Sequence, residues 1–222
     1  MLGAVEMNER KTLLTEEEMD RLLVERHGED IHRKLKEAHV AVAGLGGLGS
    51  NVAVMLARAG VGSLHLVDFD RVEGSNLNRQ VYKMKHLGMY KTGALCQEIR
   101  EINPYIELKA DTICVTEQNA AGIFSGDRLI CEAFDRAENK SMLVNAVMEQ
   151  LPEAVLVSGS GMAGYASSNL IRTKKRMRRL YVCGDGVNGI DEGGTLMAPR
   201  VTVCAGHQAN MILRLILGVE AV

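Results

Sequence analysis

The glycine turn Gly44-Leu-Gly-Gly-Leu-Gly49 constrains this chain more than any other feature. It follows a short apolar run that begins at Val40 and opens the helical stretch 51–59. In that setting glycines permit a tight turn and let backbone N–H groups approach a phosphate at a helix N-terminus. By itself the turn is compatible with NAD, FAD or ATP, and also with plain packing of a helix against a strand. It specifies a nucleotide without specifying a reaction.

The pattern around the turn sets the fold class. A second apolar run, 63–67, ends in Asp68. After it come a helix over 91–102, an extended segment over 106–115, a helix over 117–124, a strand over 128–133 and a helix over 136–150. Such alternation predicts a Rossmann-like α/β fold, with a mostly parallel sheet and helices on both faces. Residues 154–158 read as another buried strand, and 168–172 with 179–183 as an antiparallel C-terminal extension. Residues 184–194 hold five glycines and three acids, which predicts a mobile loop, and 198–217 form an apolar final helix. Residues 1–38 are charged, with Thr15 and Glu18 spaced as a capping box. They are expected to form an N-terminal helical arm before a nucleotide-binding domain over 39–222.

Composition narrows the function classes. The 222 residues are 46% hydrophobic and 24% charged with 3 prolines, a globular profile. A net charge of -2 gives no reason to expect sequence-independent binding to nucleic acid or a membrane surface. No apolar stretch approaches the ~20 residues needed to span a bilayer, and the N-terminus has no signal-peptide pattern. A cytoplasmic location is the expectation. The five cysteines are odd in number and widely spaced, which argues against a disulfide framework and against paired-cysteine zinc. Cys96, Cys114 and Cys131 are expected in inert core packing.

Several residues then collect around the turn. Asp68 ends the second strand 24 positions after Gly44, where a carboxylate can accept hydrogen bonds from ribose hydroxyls. Asp70 could share that task or be an exposed turn residue. The segment Ser75-Asn-Leu-Asn-Arg-Gln80 places amides and a guanidinium beside the expected crevice, and Arg79 can bridge two phosphate oxygens. Lys91 begins a helix, where the macrodipole disfavours a cation unless an anion compensates, and a triphosphate would be such an anion. Asp135 follows an apolar strand at its carboxyl end and could hold Mg²⁺ through water. The run Asp135-Arg-Ala-Glu138 equally fits a helix capping box.

At these residues the sequence resembles the ThiF/MoeB family of adenylyltransferases, related to ubiquitin-activating enzymes. The likeness spans roughly residues 38–218. It rests on GLGGLGS at the turn, DFDRVEGSNLNRQ after the second strand, Lys91 with its helix, EINP at 101–104, EAFDRAENK around Asp135 and the C-terminal LMAPRVTVCAGHQANMILRLILG. The resemblance implies ATP- and Mg²⁺-dependent adenylation of the C-terminal Gly-Gly carboxylate of a small ubiquitin-like sulfur carrier, ThiS of thiamine biosynthesis being the expected one. It also implies a homodimer. Carried over by position, Gly44, Gly46, Gly47 and Gly49 form the nucleotide turn, with Gly47 against the nucleotide. Asp68 then holds ribose, Asn76 and Arg79 contact phosphate, Lys91 neutralises phosphate charge and Asp135 serves Mg²⁺. Arg79, Lys91 and Asp135 are the expected catalytic set.

The sequence also departs from that family. Its CxxC zinc pairs are absent, so no structural zinc is expected, and no cysteine stands shortly before the last helix. Cys183 is either an acceptor of the activated carrier or a structural residue. The run Lys174-Lys-Arg-Met-Arg-Arg179 reads as a solvated hairpin, or as a landing site for an acidic carrier protein or for RNA. Three other functions fit parts of the pattern: an ATP-dependent tRNA-nucleoside dehydratase of the same superfamily, an NAD-binding redox or sensor protein, and a non-catalytic scaffold for a ubiquitin-like tail.

Overall fold

A computed structural model describes residues 13–189 and 195–222. Five parallel strands form first: β1 (His39–Ala43), β2 (Ser63–Val67), β3 (Glu107–Asp111), β4 (Leu129–Glu132) and β5 (Val155–Gly159). A hairpin of β6 (Arg172–Met177) and β7 (Leu180–Gly184) completes a seven-stranded sheet ordered β3-β2-β1-β4-β5-β7-β6. Strand β7 pairs parallel to β5, and only β6 runs antiparallel. The extension thus starts at Arg172, later than the sequence pattern suggests, because Ser168–Leu170 winds into a 3-10 turn. The extended reading over 106–115 likewise shortens to β3, whose pairing with β2 ends at Asp111.

Each inner strand is apolar on both faces, as a sheet covered by helices on two sides requires. In β1, Val40 and Val42 face one layer and Ala41 and Ala43 the other, and all four are fully buried. The first layer holds α3 (Gly47–Ala59), α4 (Lys91–Ile102) and α7 (Ala198–Ile216), packed through residues such as Leu56, Leu95 and Ile212. The second holds α5 (Glu117–Ile123) and α6 (Ala137–Gln150), packed through Phe124, Leu143 and Val147. The apolar side of α7 is covered by α3, β5 and β7 of its own chain.

The N-terminal arm consists of α1 (Glu16–His27) and α2 (Glu29–Lys36). Thr15 and Glu18 form the expected reciprocal capping box. Asp20 of α1 bonds His32 and Lys36 of α2, and the Tyr105 hydroxyl donates to the Leu14 carbonyl, which pins the arm to the base of the sheet. In the basic run, Arg179 donates to the carbonyls of Met148, Leu151 and Ala154 and so closes the C-terminal end of α6. Residues 174–177 of the run are an exposed part of β6, and Arg178 lies in the turn that follows. Of the loop expected over 184–194, residues 190–194 lie outside the described residues. No helix among the described residues is long and apolar enough to cross a membrane.

Candidate functional site

Strand order reverses between β1, which leads to β2, and its other neighbour β4. Open α/β sheets bind ligands at the carboxyl ends of such a pair, because the loops there diverge to opposite faces. A crevice of about 820 Å³ lies there, between the turn after β1 and the loop after β4. That is large enough for a nucleotide. Gly44, Gly46, Gly47, Asp68, Asn76, Arg79, Lys91 and Asp135 all line it. Eight of the nine residues expected at a nucleotide site therefore meet in one place.

The ninth, Gly49, has a different job. A Cβ at Gly49 would run into the Gly44 carbonyl, so this glycine lets α3 pack against β1. Gly44 adopts φ +88 and lies against the Ala133 backbone. Gly46 meets nothing comparable: a Cβ there would find only the Gln80 amide at 3.9 Å. Packing explains the outer two glycines, and access to the crevice explains the openness at Gly46. Gly46 caps α3 without a side-chain bond, leaving the first-turn N–H groups of the helix as anion donors.

Asp68 organises the floor. Its Oδ2 accepts the Leu45 N–H at 2.6 Å and its Oδ1 the Asp70 N–H at 2.7 Å. Burial pushes its carboxyl above the ordinary aspartate range, while the Lys91 charge and the two N–H groups oppose that rise. Lys91 is buried and places Nζ 2.7 Å from Asp70 Oδ2 and 4.0 Å from Asp68 Oδ2. Carboxylates of the chain itself thus compensate the cation at the start of α4. Asp70 is more than a turn residue, because it holds Lys91 through both its side chain and its backbone carbonyl.

Asn76 closes a 3-10 turn, its Oδ1 accepting the Glu73 N–H at 3.0 Å. Arg79 lays its stem against Gly47, and its Nη1 donates to the Ser75 carbonyl and to Asn78 Oδ1. Among the described residues it makes no ion pair, so its charge remains available to an anion. Asp135 is exposed and has no hydrogen-bond or ion-pair partner among the described residues. It is not a helix cap: Arg136 occupies the N-cap of α6, with no side-chain bond. The capping-box reading is therefore overturned, and the carboxylate is left facing the crevice. Such a free oxygen donor suits Mg²⁺, which takes oxygen ligands and keeps several waters.

Gln80, the last residue of the segment singled out in the sequence, is buried directly beside the glycine turn, with Oε1 lacking a partner among the described residues. One lining residue escaped the sequence reading: Lys140, on the first turn of α6, bonds both oxygens of buried Glu132 at 3.2 Å. Its signal was positional, five residues beyond Asp135.

The cysteines need correcting. Cys131 and Cys204 are buried, as is Cys183, whose thiol burial pushes up to about 11 and which bonds the Thr173 hydroxyl. Burial likewise pushes Cys204 up to about 12. Their burial disfavours the thiolate, the reactive form, and this weighs against Cys183 as an acceptor. Cys114, expected in the core, is instead exposed and lines the crevice, since β3 ends at Asp111 and the chain leaves the sheet before reaching it.

Comparison with known proteins follows the same lines. The chain is 34% identical over 197 residues to the adenylyltransferase and sulfurtransferase uba4 of Pyricularia oryzae, covering 82% of this chain and 40% of that protein. It is 35% identical over 192 residues to the adenylyltransferase and sulfurtransferase MOCS3 of Drosophila yakuba, covering 83% of this chain and 42% of that one. The chain therefore spans well under half the length of these relatives. Among solved structures, the E. coli tRNA N6-threonylcarbamoyladenosine dehydratase TcdA in complex with ATP superimposes with a TM-score of 0.81. It covers 93% of this chain and 97% of that one at 22% identity, a likeness of fold. The model of the ThiF family matches residues 19–222, from within α1 onward, and the chain belongs to that family.

Proposed function

We propose that this chain uses ATP to adenylate the C-terminal Gly-Gly carboxylate of a small ubiquitin-like sulfur carrier protein, releasing pyrophosphate. The observation that carries the reading is the charge pattern of the crevice. The Arg79 guanidinium, without an ion-pair partner among the described residues, and the uncapped start of α3 offer donors to phosphate, and the exposed Asp135 carboxylate stands in the same space. A dehydrogenase would leave Arg79 and Asp135 without a task. The names of the sequence relatives, adenylyltransferase and sulfurtransferase, support the same chemistry.

In this reading a carboxylate oxygen of the carrier attacks the α-phosphorus of ATP, the bond from that phosphorus to the α–β bridging oxygen breaks, and pyrophosphate leaves. Both reactants are anionic, so the site must screen charge and align the attack. Gly44, Gly46 and Gly47 let the phosphates approach the backbone. Arg79, Asn76 and Lys91 hold phosphate oxygens, and Asp68 accepts the ribose hydroxyls through the lone pairs its backbone bonds leave over. Asp135 would hold Mg²⁺, which supplies further screening of phosphate charge. The carrier that fits the resemblance is ThiS of thiamine biosynthesis, in the cytoplasm, with the enzyme a homodimer.

A second reading rests on a separate observation. Arg172, Lys174 and Arg176 on β6, and Arg178 in the turn after it, are exposed without an ion-pair partner among the described residues. A polyanion such as tRNA could lie along them, as an ATP-dependent tRNA-nucleoside dehydratase requires. ATP–pyrophosphate exchange separates the two. Exchange that needs the carrier's terminal glycine supports adenylation of a carrier, and ATP turnover that needs tRNA supports the dehydratase. Tight NAD binding, with no ATP bound at millimolar levels, would overturn both.

A further inference from the structure

The opposite end of the sheet carries a side-chain cluster that the nucleotide chemistry does not use. His39 opens β1, His65 sits in the middle of β2, and Asp127 lies in the turn before β4. His39 Nε2 stands 2.5 Å from Asp127 Oδ1, and His65 Nδ1 stands 2.8 Å from Asp127 Oδ2. One ligand atom from each of the three lies within 4.8 Å of the other two. Residues separated by up to 88 positions converge here because β1 lies between β2 and β4.

The outward ring nitrogens are also held. His39 Nδ1 bonds the Ser63 hydroxyl at 2.7 Å, and His65 Nε2 bonds Asp111 Oδ2 at 2.9 Å. Lys109 in turn lies 3.3 Å from that Asp111 oxygen. Metal-binding histidines have this form: one nitrogen faces the ion, while the other is fixed by a carboxylate or another polar group that orients the ring. Access differs across the cluster. The side chains of His65 and Asp127 are 1% and 2% exposed, whereas that of His39 is 39% exposed. The cluster is thus walled by the sheet and α5 but open to solvent on the His39 side.

We propose that His39 Nε2, His65 Nδ1 and a carboxylate oxygen of Asp127 bind Zn²⁺, with water as the fourth ligand. Two imidazoles and one carboxylate suit zinc, whereas Mg²⁺ and Ca²⁺ prefer all-oxygen sets. With Zn–N and Zn–O bonds of about 2.0–2.2 Å, neighbouring ligand atoms stand roughly 3.4 Å apart. The two histidine–Asp127 contacts therefore have to open by about an ångström or less, chiefly at the exposed His39 ring. The ion takes the place of the ring protons now directed at Asp127, leaving the outward bonds to Ser63 and Asp111 in place. Bound there, zinc ties β1, β2 and the turn into β4 together at the end of the sheet remote from the crevice. This site uses none of the cysteines.

The test uses the full chain, stripped with a chelator and titrated with Zn²⁺ in the absence of ATP. Equilibrium dialysis with elemental analysis is expected to give about one Zn²⁺ per chain, and binding is expected to raise the melting temperature. His39→Ala alters an exposed ring and should keep the native circular dichroism while losing stoichiometric zinc. Asp111→Asn should weaken zinc by about 10–100-fold, as loss of an orienting partner does. Asp135→Asn and Cys114→Ser should bind zinc as the unaltered chain does. Co²⁺ in place of zinc should give four-coordinate absorption without a thiolate charge-transfer band. Absence of stoichiometric zinc in the unaltered chain, undiminished binding by His39→Ala, or a thiolate band would each overturn the proposal.

Discussion

Lys91 Nζ lies 2.7 Å from Asp70 Oδ2, so the one buried lysine of the crevice is already held by a carboxylate before any nucleotide arrives. The side chain of Asp70 is 47% exposed and that of Lys91 8%. In the proposed function an incoming triphosphate would compete with a partner that water can also solvate, which makes the contact exchangeable.

Asp70→Asn tests that competition. A partly exposed pair is worth about 1 kcal/mol or less, so removing the charge should tighten ATP binding by up to about fivefold in calorimetric titration. Weaker ATP binding would show instead that Asp70 aims Lys91 at the phosphates.

Arg79 has no ion-pair partner among the described residues, and its loss should fall on the chemical step. Arg79→Ala is expected to lower the rate of ATP–pyrophosphate exchange by about 100–1000-fold, the range for deleting a donor that stabilises developing charge. Arg79→Lys should recover only part of this, because an ammonium lacks the bidentate fork. An equal rise in KM with unchanged kcat would place Arg79 in ground-state binding alone.

Asp185 and Arg200 form a buried ion pair beside the crevice, with side chains 5% and 3% exposed. Burial pushes the Asp185 carboxyl up, but hydrogen bonds from Asn188, the Val187 N–H and Arg200 outweigh it and hold the group well below its usual 3.8. A depressed folded value means that the stabilisation is whole above the unfolded value and is lost as pH falls through the folded one. Denaturant unfolding should therefore show stability declining below about pH 4, where an ordinary aspartate begins to protonate. Asp185→Asn should flatten that decline and cost about 3–5 kcal/mol at neutral pH, because Arg200 is left buried without its counter-charge.

Cys114 offers a probe of the crevice itself. In the native state iodoacetamide should modify Cys114 well before Cys131, Cys183 and Cys204, which are buried. Saturating ATP should slow that modification, as read by mass spectrometry of the tryptic peptides. Labelling unaffected by ATP would place the nucleotide away from the loop after β3.

Much of the crevice was legible in the chain because it is built from short-range signals. A glycine turn between an apolar run and a helix, and an acid closing the next run, each report local backbone geometry. The unbroken apolar run of β1 announced a strand buried on both faces, and the stretch after the turn announced a helix. Asp135 was ambiguous at that level, since a cap and a metal ligand use the same residue at the same offset. Only the placement of Arg136 at the N-cap ruled out the cap.

The amino-acid sequence by itself determined a mostly parallel Rossmann-like sheet and singled out Gly44, Asp68, Arg79 and Lys91 as candidate site residues, because periodicity and turn chemistry are properties of neighbouring residues. Tertiary structure alone decided which charges are already paired, which cysteine reaches solvent, and that His39, His65 and Asp127 meet. Those facts depend on strand order and register, which bring together side chains far apart in the chain and set how much water each retains.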